Sequence, residues 1–313
     1  MSRKQIVVLA AWWLGWACAG WGEAVAPFRI VPLPPLQIAG QASRAHTQGL
    51  ELVAGDYYVS ARQEDGYPPR ALLLRTRPSR SDWDSWDLTP VTAAGALTAL
   101  NHPGGMQSDG QRLWVPLAEN RPKSQSRIRA YSLAKLTTSL PVQWELDFAV
   151  EDHIGALAVS IEHQCLIGAN WDTETIYVWN LAGELRRKLT GRDLQLRELG
   201  VHRDSAIPSG LTIQDWKFVG DRLYASGLFK ELRPSASLPL SRWATYSHFL
   251  RSPTELVVSF LPQCDFSELG REGMAITGGQ VYFLPEDLGP TNRIFTTEVE
   301  TMKLFWRPPS TKP

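Results

Sequence analysis

The feature that most constrains this chain is a repeat. Five segments share one form: a polar start, a small or apolar pair, a turn, then a hydrophobic strand. They begin His46-Thr47-Gln48-Gly49-Leu50, His102-Pro103-Gly104-Gly105-Met106, Asp152-His153-Ile154-Gly155-Ala156, Gln214-Asp215-Trp216 and Glu272-Gly273-Met274. The strands that follow carry Tyr57-Tyr58-Val59, Leu113-Trp114-Val115, Cys165-Leu166-Ile167, Leu223-Tyr224-Ala225 and Val281-Tyr282-Phe283. The anchor positions 49, 105, 155, 215 and 273 lie 56, 50, 60 and 58 residues apart. A unit of this size cannot bury its own apolar face and must stack on its neighbours.

Within each unit the apolar runs are short and bounded by turn residues, and no stretch sustains helical periodicity. That pattern predicts an all-β protein. Four short strands per unit describe a β-propeller blade, so the expectation is a propeller of five four-stranded blades. In the second unit the strands should lie near 104–108, 112–118, 127–133 and 141–147. Asp109-Gly110, Gly220-Asp221 and Gly278-Gly279 read as the tight turns between paired strands. Phe28-Arg29-Ile30-Val31 is a lone strand before the first unit, and the last unit lacks a strand after Arg293 to Glu298. Pairing the two would close the ring and remove its exposed edges. The alternatives are a pair of β-sandwiches and a sixth, degenerate blade within 226–270.

The amino terminus reads differently. Arg3 and Lys4 precede Ile6 to Trp21, which carries no charge and is shorter than a membrane span needs. This predicts a signal peptide over 1–24, a single domain over 25–313, and a secreted or periplasmic protein with no stable membrane span. Lipoprotein processing at Cys18 and a retained anchor are the alternatives. Cleavage would remove four of the 13 Trp and turn a formal charge of zero into −2 or −1. Either balance excludes a general nucleic-acid binder, which needs a basic footprint. Cys165 and Cys264 would remain, too few for a disulfide scaffold. Trp114, Trp179, Tyr224 and Tyr282 fall inside strands and are expected in the core.

In a propeller, the residues just before each innermost strand meet at one mouth of the axis. Here these are His46, Gln48, His102, Asp152, His153, Gln214, Asp215 and Glu272. Histidines that converge with carboxylates can bind a divalent metal or do acid–base work. His46, His102 and His153 with Glu272 would suit one Zn²⁺, Mn²⁺ or Fe²⁺ ion better than Ca²⁺. For hydrolysis of a lactone or ester, His46, His102, His153, Asp215 and Glu272 are the candidate catalytic groups. Gln48, Asp152, Gln214, Glu119, Asn170 and Asp172 are candidate ligand-binding residues, the last three from a second ring of strand ends that also holds Glu64, Asp65, Lys230, Glu286 and Asp287. Structural polar packing is the competing reading. A small-molecule ligand is the expected partner. A non-catalytic interaction module is the second functional class, and it would need exposed aromatics such as Trp83, Trp86 or Trp243.

His102-Pro103-Gly104-Gly105 with Trp114-Val115-Pro116, and Gly168-Ala169-Asn170-Trp171-Asp172, resemble an uncharacterised family of secreted bacterial propeller proteins over roughly residues 40–300. The resemblance implies fold and export and no particular activity. Glu272-Gly273-Met274-Ala275 is similar, more distantly, to strand starts of gluconolactonase and strictosidine-synthase propellers, which have six blades and a metal held mainly by carboxylates and Asn. This chain carries histidines at the corresponding places.

Overall fold

The ladder of sheets begins from turns that can adopt only a few shapes. The computed structural model describes residues 28–137, 142–190, 211–220, 222–229, 240–252, 255–262, 272–285 and 287–299. Gly278 and Gly279 both sit at positive φ (56° and 75°), as a two-residue hairpin turn requires. Ala54-Gly55 does the same at 52° and 85°, a turn the sequence reading did not single out. At Asp109-Gly110 the aspartate carboxylate accepts the backbone N–H groups of Gln111 and Arg112 and the indole N–H of Trp114. One side chain thus fixes both the turn and the largest ring of the strand that follows.

The strands run in chain order. β1 (Arg29–Leu33) is followed by a small hairpin of β2 (Gln37–Ile38) and β3 (Gln41–Ala42). The first four-stranded sheet is β4 (Ala45–Val53), β5 (Asp56–Gln63), β6 (Ala71–Thr76) and β7 (Asp84–Asp87). The second has five strands: β8 (His102–Pro103), β9 (Gln107–Ser108), β10 (Arg112–Ala118), β11 (Ser126–Ser132) and β12 (Trp144–Val150). The third is β13 (Ile154–Ser160), β14 (Cys165–Asn170), β15 (Thr175–Asn180) and β16 (Leu185–Thr190). The fourth is β17 (Leu211–Val219), β18 (Arg222–Phe229), β19 (Leu240–Ser252) and β20 (Glu255–Pro262). The last combines β21 (Gly273–Thr277), β22 (Gln280–Leu284) and β23 (Asn292–Glu298) with β1, in the order β1-β23-β22-β21.

Within every sheet the strands pair antiparallel, and the fold is an all-β propeller. Arg29 to Leu33 pairs with Asn292 to Thr296 in continuous register, so the first strand covers what would otherwise be the open edge of the last sheet. The segment weighed as an extra blade supplies β19 and β20, the outer strands of the fourth sheet. The expected strand at 104–108 is broken into β8 and β9. Gly105 leaves the ladder of β10 and pairs sideways with the third sheet: its N–H donates to the Gly155 carbonyl (2.9 Å), and its carbonyl accepts from Leu157 N–H (2.9 Å).

Apolar clusters lie between successive sheets and hold them together. Tyr58, Leu73 and Trp86 meet Met106, Leu113 and Tyr131; Trp114 and Ile128 meet Leu157 and Trp179; Ala158 and Ile167 meet Trp216 and Leu223. Tyr224 packs with Met274 and Phe283, and Val31 and Ile294 pack with Leu50 and Val59. Burying side chains such as Leu50, Val59 and Leu113 completely stabilises the fold by about 1.5–3 kcal/mol each. Trp114, Trp179 and Tyr224 are buried, as expected of strand aromatics, and Tyr282 packs partly buried against the same core. Trp83 and Trp86 are buried too, and their indole N–H groups donate to the carbonyls of Pro34 and Thr137. They therefore do not form the exposed aromatic patch that an interaction module was expected to show. Cys165 is a buried free thiol pushed up to about 11 by burial. Residues 1–27, Lys230, Cys264 and Glu286, and the side chain of Trp243, lie outside the described residues.

Candidate functional site

The inner strands approach so closely that the axis is closed by backbone. A Cβ on Gly49 would lie 2.9 Å from Gly105 Cα, one on Gly104 2.3 Å from the Gly155 carbonyl oxygen, and one on Gly105 2.4 Å from that of Gln214. Real side chains do not tolerate such contacts, so Gly49, Gly104 and Gly105 are there for close approach, whereas a Cβ on Gly155 would meet nothing nearer than 3.9 Å. Register shifts at Gln48, Gly155 and Gln214 bulge three inner strands near the same level. This layer divides the axis into a buried polar lock and a mouth.

Asp215 belongs to the lock. It was expected at the mouth as an acidic partner, but it is fully buried and its carboxylate is consumed by structure. Oδ2 accepts the backbone N–H groups of Leu50 (3.1 Å) and Met274 (3.0 Å), and Oδ1 accepts from Lys217 Nζ. Lys217, equally buried, also donates to the Met106 carbonyl at 2.6 Å. Two side chains of β17 thus tie together the inner strands of three other sheets. The reason is periodicity: Asp215 and Lys217 are two apart on one strand and face the same side, inward. Glu51 lies in the same environment. Its carboxylate accepts from Leu52 and Ser108 N–H, and burial, opposed by the field of Lys217, pushes it up to about 7. Gln107 extends the lock by bridging Val159 and Phe218 through their backbone groups.

The mouth gathers the three histidines named from the repeat. His46 lies on β4, His102 on β8, and His153 immediately before β13. The His46 and His102 ring centroids are 6.3 Å apart, and those of His102 and His153 are 5.5 Å apart. Trp171, at the turn after β14, completes the cluster at 6.0 Å from His102 and, edge-on, 4.5 Å from His153. The sequence reading did not select Trp171 as a site residue; its marks were its place directly after Asn170 at a strand end and its part in the Gly168-to-Asp172 motif.

The three imidazoles differ in proton affinity. His153 Nδ1 faces the carbonyls of Glu119 (2.8 Å) and Arg121 (3.2 Å). Carbonyls only accept, so Nδ1 carries the proton and Nε2 of the neutral ring keeps its lone pair. Burial lowers the pKa of His153. His102 is pushed down to about 3, by burial first and then by the charges of His153, His46 and Arg62. Its Nδ1 is buried without a hydrogen-bond partner. His46 moves the other way. Its Nδ1 hydrogen-bonds Asp287 at 2.7 Å, and that bond, with the fields of Glu272, Asp287 and Glu64 and against burial, raises its pKa. A proton entering the mouth therefore goes to His46.

Several other expected ligands are structural. Asp152 accepts from its neighbour His153 N–H (2.8 Å), from Asn170 Nδ2 (3.2 Å) and from the Tyr177 hydroxyl (2.8 Å). Asn170 Oδ1 caps Thr175 N–H, and Gln48 is buried and donates to the Thr47 carbonyl. Glu119 acts on the site through its backbone carbonyl, while its carboxylate holds Arg121. Gln214 is partly exposed and contributes its carbonyl to the close-packed layer. Glu272 is buried, and its charge acts on His46 as that of Asp172 acts on His153. Among the described residues, no group of three or more His, Cys, Asp or Glu side chains is placed to hold a metal ion. No helix among them is long and apolar enough to cross a membrane.

Residues 35–240 match the model of a Family of unknown function (DUF6454). The chain belongs to that family. No curated protein matches the sequence. Among solved structures, the chain is similar to the phage phi92 endosialidase, with 8% identity and a TM-score of 0.48 over 87% of this chain and 69% of that one. It is also similar to a chain of a nidogen/laminin complex (9%, TM-score 0.43, 88% and 95% covered). A third is the β-propeller domain of the Trilobed protease from Pyrococcus furiosus (10%, TM-score 0.37, 82% and 85% covered).

Proposed function

We propose that each of the five sheets with four or more strands is one blade of a closed ring, and that this exported DUF6454 propeller binds a small, cationic, donor-rich ligand in its mouth. The observation that carries the reading is the excess of hydrogen-bond acceptors around His102. His153 Nε2 is an acceptor because its other nitrogen is committed to carbonyls. His46 is oriented by Asp287, so its Nε2 is an acceptor whenever the ring is neutral. The charges of Glu272, Asp287 and Glu64 act on His46 and those of Asp152 and Asp172 on His153, all in the sense that favours a cation. A ligand ammonium or guanidinium would meet these acceptors, and Trp171 offers it an aromatic face. The reading does without the divalent ion first expected of the histidines, because their present arrangement does not converge on one.

A second reading rests on the His46–Asp287 pair. A carboxylate holding one imidazole nitrogen leaves the other poised as a general base, so hydrolysis of a bound ester or lactone is the reaction class to assay. Isothermal titration calorimetry of purified protein with agmatine, spermidine, glucose and acetate tests binding. Agmatine or spermidine should bind at pH 8 and weaken as His46 protonates, and His102→Ala should weaken them at least tenfold. Equal binding of glucose, or unchanged affinity in His102→Ala, overturns the cationic site. Metal content of the native protein checks the ion-free reading.

A further inference from the structure

A second cleft lies outside the mouth, at the outer rim between the first two sheets. β7 and β12 are outermost strands, each paired on one side only. Between them opens a cleft of about 740 Å³, within the size range of small-molecule sites. One wall is apolar, with Leu88, Pro90, Val91, Leu100 and Val142. The other carries Arg127, Arg129, Tyr131, Trp144 and Asp147. β11 places Arg127, Arg129 and Tyr131 two residues apart, so all three face the same side of the sheet.

The chemistry of this wall is the reverse of the mouth's. Arg127 and Arg129 share one carboxylate, Asp147, at 2.7 Å and 3.3 Å, and Asp87, the other carboxylate of the lining, is held by Arg70, so three arginines face two carboxylates. Arg127 uses only Nε in that pair, so its two terminal nitrogens have no partner among the described residues. The Arg129 guanidinium carbon lies over the Trp144 ring, 3.8 Å from its centre, and this cation–π contact braces a tryptophan that remains 47% exposed. Tyr131 is 1% exposed; its hydroxyl has no hydrogen-bond partner within 3.5 Å and lies in the field of the nearby Arg129 guanidinium. An acceptor arriving there would give the hydroxyl a partner.

We infer that this cleft binds an amphipathic organic carboxylate. Its anionic group would be met by Arg127 and the Tyr131 hydroxyl, and its apolar body would lie between Trp144 and the Leu88–Val91 wall. Arginine and a neutral O–H donor favour an anion, while the apolar wall excludes simple acetate or phosphate as the natural occupant.

The probe is sodium octanoate, titrated calorimetrically into the purified chain, with octanol and acetate as controls. Octanoate should bind at least tenfold more tightly than either control. Arg127→Gln should weaken it about tenfold, and Tyr131→Phe several-fold, while the melting temperature of Tyr131→Phe stays the same or rises because an orphan donor has been removed. Octanol binding as well as octanoate, no saturable octanoate binding, or Tyr131→Phe losing stability while keeping its affinity each overturns the assignment.

Discussion

His102 makes the sharpest prediction, because its environment ties the mouth to the stability of the whole fold. In the unfolded chain an imidazole titrates near 6.5, whereas in the fold burial and its cationic neighbours push His102 down to about 3. Below pH 6.5 the unfolded state therefore binds a proton that the folded state refuses, and stability falls as the pH is lowered. Each pH unit in that window is worth about 1.4 kcal/mol, so between pH 8 and pH 4.5 this residue alone should cost about 3 kcal/mol. Replacing it by a non-titrating side chain, His102→Gln, removes the proton uptake and leaves His153 and every carboxylate in place. Urea melts followed by tryptophan fluorescence at pH 8, 6.5 and 4.5 give the free energies for both proteins. The wild type minus variant difference should shift by about 3 kcal/mol toward the variant at pH 4.5. A difference independent of pH would refute the reasoning, because it would mean that His102 is protonated in the fold as easily as outside it. An NMR titration of the same ring supplies a direct check: its Cε1–H resonance should not move above about pH 4.

Three further outcomes follow from the axis and the mouth. Asp215→Ala should lower stability by about 3–5 kcal/mol, seen as a lower urea midpoint, because it strands the buried Lys217 ammonium and two backbone N–H groups. Gly105→Ala should cost about 1–3 kcal/mol, since its new methyl meets Gln214 and Asp215 at 2.4 and 2.6 Å, while Gly289→Ala, with open space around it, should stay within about 0.5 kcal/mol in the same melts. Asp287→Asn should bring the His46 pKa down toward its ordinary value in an NMR titration, because the bond to Asp287 is the largest cause of its elevation. That pKa is raised in the fold, so the pair stabilises the protein at acid pH and the benefit is lost as pH rises through the folded value; the variant should lose stability at pH 5 and little at pH 9.

How much of this was legible in the sequence can be read residue by residue. The spacing of His46, His102 and His153 placed them together, because a repeated unit puts equivalent positions at equivalent points around an axis, and period alone fixes that. The same logic misplaced Asp215. It stands at the anchor itself, where the other units carry Gly49, Gly105, Gly155 and Gly273, two or three residues past the histidines, and there its side chain is fully buried and bonded to Leu50, Met274 and Lys217. An offset of that size along a strand exchanges the mouth for the closed interior, and the bulges at Gln48, Gly155 and Gln214 that shift the register there have no local sequence pattern. Asp152 and Asn170 looked like open ligands because sequence shows a polar side chain and not the Tyr177 hydroxyl or Thr175 N–H that occupies it.

The chain by itself determined the strand pattern, the repeat length, the hairpin turns and the closing partnership of its first and last strands. These rest on side-chain alternation and glycine conformation, which are local. Only the tertiary structure decided which polar groups are spent and which remain to bind. Lys217 became a lock, the three histidines diverged in proton affinity, and Arg127 and Tyr131 were left with donors to offer. Burial and partnership are set by residues from other sheets, often more than 100 positions away in sequence, and such contacts have no local trace.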